Sequence, residues 1–237
     1  MTRPLALALA QMSDPPFRRV LIKSLFLTAV VYGLCGVGAY LGLGSLPEDG
    51  WGWIPWDWLG VALKWLAGAS FIFLLIVLFP AVATLFVSLF LDEISIAVER
   101  RHYPNDPPGR DTPLGDSLLL ALKYMAILIG LNVAVLPLYL LAFVIPPVSV
   151  VIFYGLNGYL LGREYFELVA QRHGSPQDVS RLRKIFKTNI LWRGIAITVL
   201  LMVPVVNFFV PIVATAWMMH VFEGLDKKLN VEISGTR

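Results

Sequence analysis

Gly194–Phe222 is a run of 29 residues with no Lys, Arg, Asp or Glu, flanked by Arg193 on one side and Glu223, Lys227 and Lys228 on the other. No other feature narrows the fold as much. Two full membrane spans need ~20 residues each, so the run is too short for two. A single span would put Lys227 and Lys228 across the membrane from the basic cluster Arg163–Arg193, against the bias of Lys and Arg toward the cytoplasmic side. Two half-length helices that enter and return on one side satisfy both constraints. Their turn falls on Pro204–Pro211, PVVNFFVP. Non-helical backbone at membrane depth is tolerated only where protein buries it or a wet cavity borders it. Asn207 in this turn therefore has two readings: its amide satisfies backbone groups freed by the turn, or it faces a water-filled path and touches a solute.

Three more uncharged runs, Leu25–Leu46, Trp65–Leu91 and Tyr124–Gly162, exceed the ~18 residues that flag a span. With 57% hydrophobic and 15% charged residues, the chain reads as an all-α integral membrane protein. Residues 20–46 form the first span. Residues 59–103 form a long second one, expected to bend at Pro80 and continue into the cytoplasm as DEISIAVERRHY. A proline-rich loop follows at 104–115. Residues 116–171, broken by Pro137, Pro146 and Pro147, make a first hairpin, either half-penetrating or two short spans. A basic cytoplasmic helix at 177–193, the second hairpin at 194–224 and a tail at 225–237 complete a single membrane domain, with residues 1–17 as an interfacial segment. The loop Leu46–Trp58 holds Glu48, Asp49, Asp57 and four tryptophans but no Lys or Arg, so it is expected outside, with both termini cytoplasmic. Lys64 is the one cation on that outer side.

Catalytic signatures are missing from the sequence. His102, His173 and His220 are far apart, and no H-E-x-x-H, G-x-S-x-G or Walker A spacing occurs, so no enzyme, cofactor or metal is expected. The lone Cys35 permits no internal disulfide. Gly38-x-x-x-Gly42 reads as close helix packing. In SDPPFRRV, Ser13 or Asp14 can cap a helix that takes Pro15 or Pro16 in its first turn. Its free N–H groups, with Phe17, Arg18 and Arg19, suit an oxyanion; the plainer alternative is that the arginines anchor the span at the headgroups. Asn132 sits in an apolar run with the same two readings as Asn207. In GREYFE, Arg163 can pair with Glu167 at i,i+4 while Glu164 lies on another face, as a surface bridge or as the charged mouth of a pore. RLRKIFK reads as a helix resting on anionic lipid, not as a nucleic-acid site.

In order and spacing, PPFRRV, GREYFE with RLRK downstream, and PVVNFFVP resemble the CysZ-type sulfate permease family of bacterial inner membranes, essentially end to end. The resemblance implies two full spans with two half-penetrating hairpins, a homo-oligomer with pores, and sulfate uptake feeding cysteine synthesis. It also implies a sulfate-binding Gly-Leu-Arg stretch at the start of the first long helix. The matching positions here are Pro16, Phe17 and Arg18, followed by Arg19, so proline replaces the glycine and one backbone donor is lost. An Arg/Glu-rich start to the third long helix is reduced to Asp116 and Lys123.

The expected function is thus an inner-membrane permease or channel for sulfate or a similar oxyanion, without its own ATP hydrolysis. Phe17, Arg18 and Arg19 would bind the anion, and Asn132, Asn207, Arg163 and Glu164 would border its path. The alternative is a non-transporting scaffold that organises lipid.

Overall fold

A computed structural model describes residues 2–45, 57–110, 126–127, 129–138, 146–203 and 205–235. Its ordered elements are helices: α1 Thr2–Ala10, a short 3-10 turn Gln11–Ser13, α2 Pro15–Gly44, α3 Asp57–Ser88 and α4 Leu91–His102. They continue as α5 Ile129–Leu138, α6 Pro146–Ala170, α7 Pro176–Ile185, α8 Lys187–Leu201 and α9 Val206–Gly235. Among the described residues, three segments are long and apolar enough to cross a membrane, Pro15–Gly44, Trp58–Ser88 and Val206–Leu225. The tryptophan-rich loop before α3 and the segment holding Asp116 and Lys123 lie outside the described residues. The chain divides into two compact units, Arg19–Phe90 and the remainder, Met1–Arg18 with Leu91–Arg237.

In the Arg19–Phe90 unit, α2 and α3 run antiparallel. The Tyr32 hydroxyl donates to the Leu75 carbonyl at 2.9 Å and its ring meets Phe79 edge-on. Ser24 and Thr28, both buried, return their hydroxyls to carbonyls four residues back, which satisfies them without leaving the helix. Helix α3 runs on through Pro80 and stops at Ser88; a two-residue turn then separates it from α4, so DEISIAVERRHY belongs to a separate helix and does not continue α3. A Cβ at Gly38 or Gly42 would meet nothing within 4 Å, so the helix packing expected there has no partner in this unit.

The second unit is built around α9. Residues 210–223 are buried without a break, under α1, α4, α6 and α8. Helix α4 turns Leu91, Ile94, Ser95, Val98 and Glu99 inward, the i, i+3, i+4, i+7, i+8 stripe of a core-facing helix. Helix α1, expected to lie at the membrane interface, packs on α9 and buries Ala8. Helix α7 starts from a capping box, Ser175 with Asp178, and Pro176. Phe186 then ends it, so the expected basic helix 177–193 is two helices and its last residues belong to α8.

Helices α6 and α8 cross with almost no space between their backbones. A Cβ on Gly194 would stand 1.8 Å from the Gly158 carbonyl oxygen, and one on Gly162 would stand 2.6 Å from the Ile190 carbonyl oxygen. The close-packed small residues are therefore Gly158-x-x-x-Gly162 against Gly194.

The turn after α8 is tighter than Pro204–Pro211. Helix α8 ends at Leu201, α9 begins at Val206, and the Asn207 N–H closes back on the Val203 carbonyl at 2.9 Å. Pro211 lies inside α9 and has no N–H for the Asn207 carbonyl, a loss the helix tolerates this near its start. Helix α8 is half-length, as expected, but the apolar part of α9 is 20 residues long, enough to reach across hydrocarbon. Val205 carries the turn at φ 67, a left-handed conformation that a β-branched residue rarely adopts, and it is 78% exposed. Such strain costs ~1–3 kcal/mol. Val205→Gly is expected to raise the thermal midpoint in detergent by roughly 2–4 °C, the equivalent of ~1 kcal/mol in a chain of this size. A lower midpoint would show that the turn is not strained.

Candidate functional site

Two prolines at the start of α2 leave Phe17 as the first residue of the helix able to offer an N–H. Phe17 is only 1% exposed, main chain and ring together, so this expected binding position is a packed residue beneath the helix start. Arg18 and Arg19 follow, both exposed. Asp14 occupies the capping position, its carbonyl accepting from the Arg18 N–H at 3.1 Å. The Asp14 carboxylate, favourably placed at the positive end of the helix, is paired with Arg101 from the last turn of α4. The sequence alone does not bring Arg101 here, 87 residues downstream. Arg18 and Arg101 thus share a helix start that carries one carboxylate, a surplus of positive charge suited to an anion.

The remaining expected positions are spread more widely. Asn132 is exposed on α5, Asn207 is half-buried in the first turn of α9, and Glu164 is exposed on α6. Arg163 is buried: its Nε donates to Glu167 Oε1 at 2.8 Å, and Arg183 of α7 reaches the same oxygen at 3.2 Å. The i,i+4 pair expected on the surface is instead an interior clamp between α6 and α7.

The family described as sulfate transporter CysZ/etoposide-induced protein 2.4 matches residues 5–211. The chain belongs to this family. It is a helical membrane protein of a transporter-type family. No curated protein matches it.

In this CysZ/etoposide-induced protein 2.4 family member, two further clusters escaped the sequence reading. Glu99, buried on α4, accepts from Arg172 Nε at 3.1 Å, lies 3.2 Å from His173 Nε2, and accepts from the Gly109 N–H at 3.3 Å. The Arg110 N–H donates to the Arg172 carbonyl at 2.7 Å, so residues 109–110 strap the end of α6 to α4. A Cβ on Gly109 would stand 2.9 Å from both Glu99 Oε1 and Arg172 Cβ, which is why glycine sits there. Burial would raise the Glu99 carboxyl, but the His173 and Arg172 hydrogen bonds and the Arg172 charge outweigh it and hold it down at about 2.

The second cluster joins His102 and His220, 118 residues apart, as edge-on rings with centroids 4.9 Å apart. Tyr103 Oη lies 2.9 Å from His220 Nδ1. Burial, then the Glu223 and Asp106 carboxylates, push the Tyr103 phenol up to about 12. It therefore stays protonated and donates, which leaves the His220 proton on Nε2. No spacing rule in the sequence pairs these two histidines; the packing of α4 on α9 does.

Proposed function

We propose that the protein is a bacterial inner-membrane permease or channel for sulfate or a similar oxyanion, supplying sulfur assimilation without hydrolysing ATP. The observation that carries this reading is the start of α2, where Arg18 and Arg19 stand exposed beyond two prolines with Arg101 drawn to the same helix end. Membership of the sulfate transporter CysZ/etoposide-induced protein 2.4 family supports it. The two guanidiniums capture the anion, and Phe17, packed beneath them, fixes the helix start that carries them. Asn132, Asn207 and Glu164 border its path, and Arg163 keeps the adjoining wall in place through Glu167. Polar turn backbone that lipid cannot satisfy calls for cover by neighbouring subunits, so the working form is a homo-oligomer with both termini cytoplasmic. The open face at Gly38 and Gly42 is available for such a neighbour. The exposed Arg181, Lys184 and Lys187 of the α7–α8 segment rest on anionic lipid.

Sulfate binding by calorimetry tests the capture site. Lysine anchors a span at headgroups as well as arginine does, but it lacks the planar fork that grips an oxyanion. Arg18→Lys and Arg19→Lys are each expected to weaken sulfate binding roughly 10- to 150-fold, the equivalent of one charge-assisted hydrogen bond at ~1.5–3 kcal/mol. Folded variants that bind as tightly as the parent would reduce both arginines to anchors.

A further inference from the structure

At the end of the α2–α3 hairpin where α3 begins, Leu43 of α2 and residues 60–72 of α3 enclose a groove of about 590 Å³. That volume lies within the ~300–1,000 Å³ of small-molecule sites and far exceeds what one ion fills. Gly60, Lys64 and Gly68 recur every fourth residue along it, so the absence of side chains on either side of Lys64 creates the space. The lining is apolar apart from Lys64, whose half-buried side chain makes no ion pair or hydrogen bond with any described residue. An ammonium lying in an apolar groove calls for an occupant that brings an anion and hydrocarbon together.

Depth along the helix narrows the choice. Helix α3 has 32 residues, about 48 Å at ~1.5 Å per residue, against a ~30 Å hydrocarbon core. Centred in that core, it overhangs by roughly 9 Å at each end. Lys64 lies seven residues past Asp57, roughly 10 Å along the axis, which places its charge at the headgroup boundary. Trp58 and Trp65, 69% and 78% exposed, mark the same level, where amphipathic rings settle. We infer that this groove binds a phospholipid with an anionic headgroup, its phosphate against the Lys64 ammonium and an acyl chain along Gly68, Ala69 and Ile72. The site is separate from the start of α2 and does not depend on what the protein transports.

Native mass spectrometry of the full chain, extracted from membranes of phosphatidylglycerol and phosphatidylcholine, counts the lipids each chain retains. The parent is expected to keep phosphatidylglycerol preferentially. Lys64→Gln is expected to weaken that preference about fivefold, the weight of one cation near an anionic headgroup layer. Gly68→Phe, which fills the groove, is expected to lower retention of both lipids by about one per chain. Lys at α7 is unchanged in these variants, so its lipids cancel in the comparison. Equal lipid counts in the parent and both variants would overturn the inference. So would efficient inter-chain crosslinking of Ala69→Cys in a Cys35→Ser background with no lipid lost, because a second copy would then fill the groove.

Discussion

Gly194→Ala is expected to produce the most unstable single-methyl variant of this protein. The added carbon would lie 1.8 Å from the Gly158 carbonyl oxygen, where an ordinary carbon–oxygen contact is ~3.3–3.6 Å. The clashing atom belongs to the backbone and no rotamer moves it, so α6 and α8 must separate by roughly 1.5 Å. Overpacking ordinarily costs ~1–3 kcal/mol, and a backbone-to-backbone clash lies at or above the top of that range. At ~2–4 °C per kcal/mol the thermal midpoint in detergent should fall by about 6–12 °C or more. Gly155→Ala on α6 is the matched control, since its Cβ would enter open space; it should stay within ~0.5 kcal/mol of the parent. Equal midpoints for the two variants would show that the α6–α8 crossing is looser than described.

The second large effect is expected at Arg172, which is 2% exposed and pairs with Glu99, 7% exposed. Arg172→Met removes the cation and leaves the buried Glu99 carboxylate with only His173 and the Gly109 N–H, a change that costs ~3–5 kcal/mol, or roughly 6–20 °C in midpoint. The double variant Arg172→Met, Glu99→Met should recover most of the loss, because a buried pair is often no better than well-packed apolar side chains. The depressed Glu99 carboxyl also fixes an acid limit. Folding holds it at about 2 against an ordinary value near 4.5. Its stabilisation is therefore fully present above about 4.5 and is lost as the pH falls through about 2. Midpoints measured across that window should decline in the parent and decline less in the double variant. A single Arg172→Met variant as stable as the parent would mean that the pair does not hold α4 to α6.

Charge-free runs made the helices legible in the sequence because a membrane-buried backbone has few options. The half-length of α8 and the break before α9 followed from counting residues between basic clusters. What failed to show were partners. Gly38-x-x-x-Gly42 and Gly158-x-x-x-Gly162 share a spacing, yet among the described residues only the second meets a helix, and spacing cannot reveal which face is covered. Pro211 looked like part of the turn because proline ends helices from within, but near a helix start it removes a single bond and the helix survives. Arg163–Glu167 was legible as a pair and not as a buried one, since burial comes from α7 folding back over α6. At the candidate site, Arg18 and Arg19 were readable from local sequence. Arg101 was not, because the packing of α4 on α9 brings it to Asp14.

The proposed function requires that an oxyanion cross the membrane through this chain. Purified protein in sealed liposomes, loaded with labelled sulfate outside and challenged with phosphate or chloride, tests it most directly. Sulfate uptake above that of empty vesicles is expected, competed by phosphate more strongly than by chloride and lost when Arg18 and Arg19 are both alanine. Vesicles that hold folded protein yet admit no more sulfate than empty ones would contradict the transport reading and leave the lipid-organising scaffold in its place.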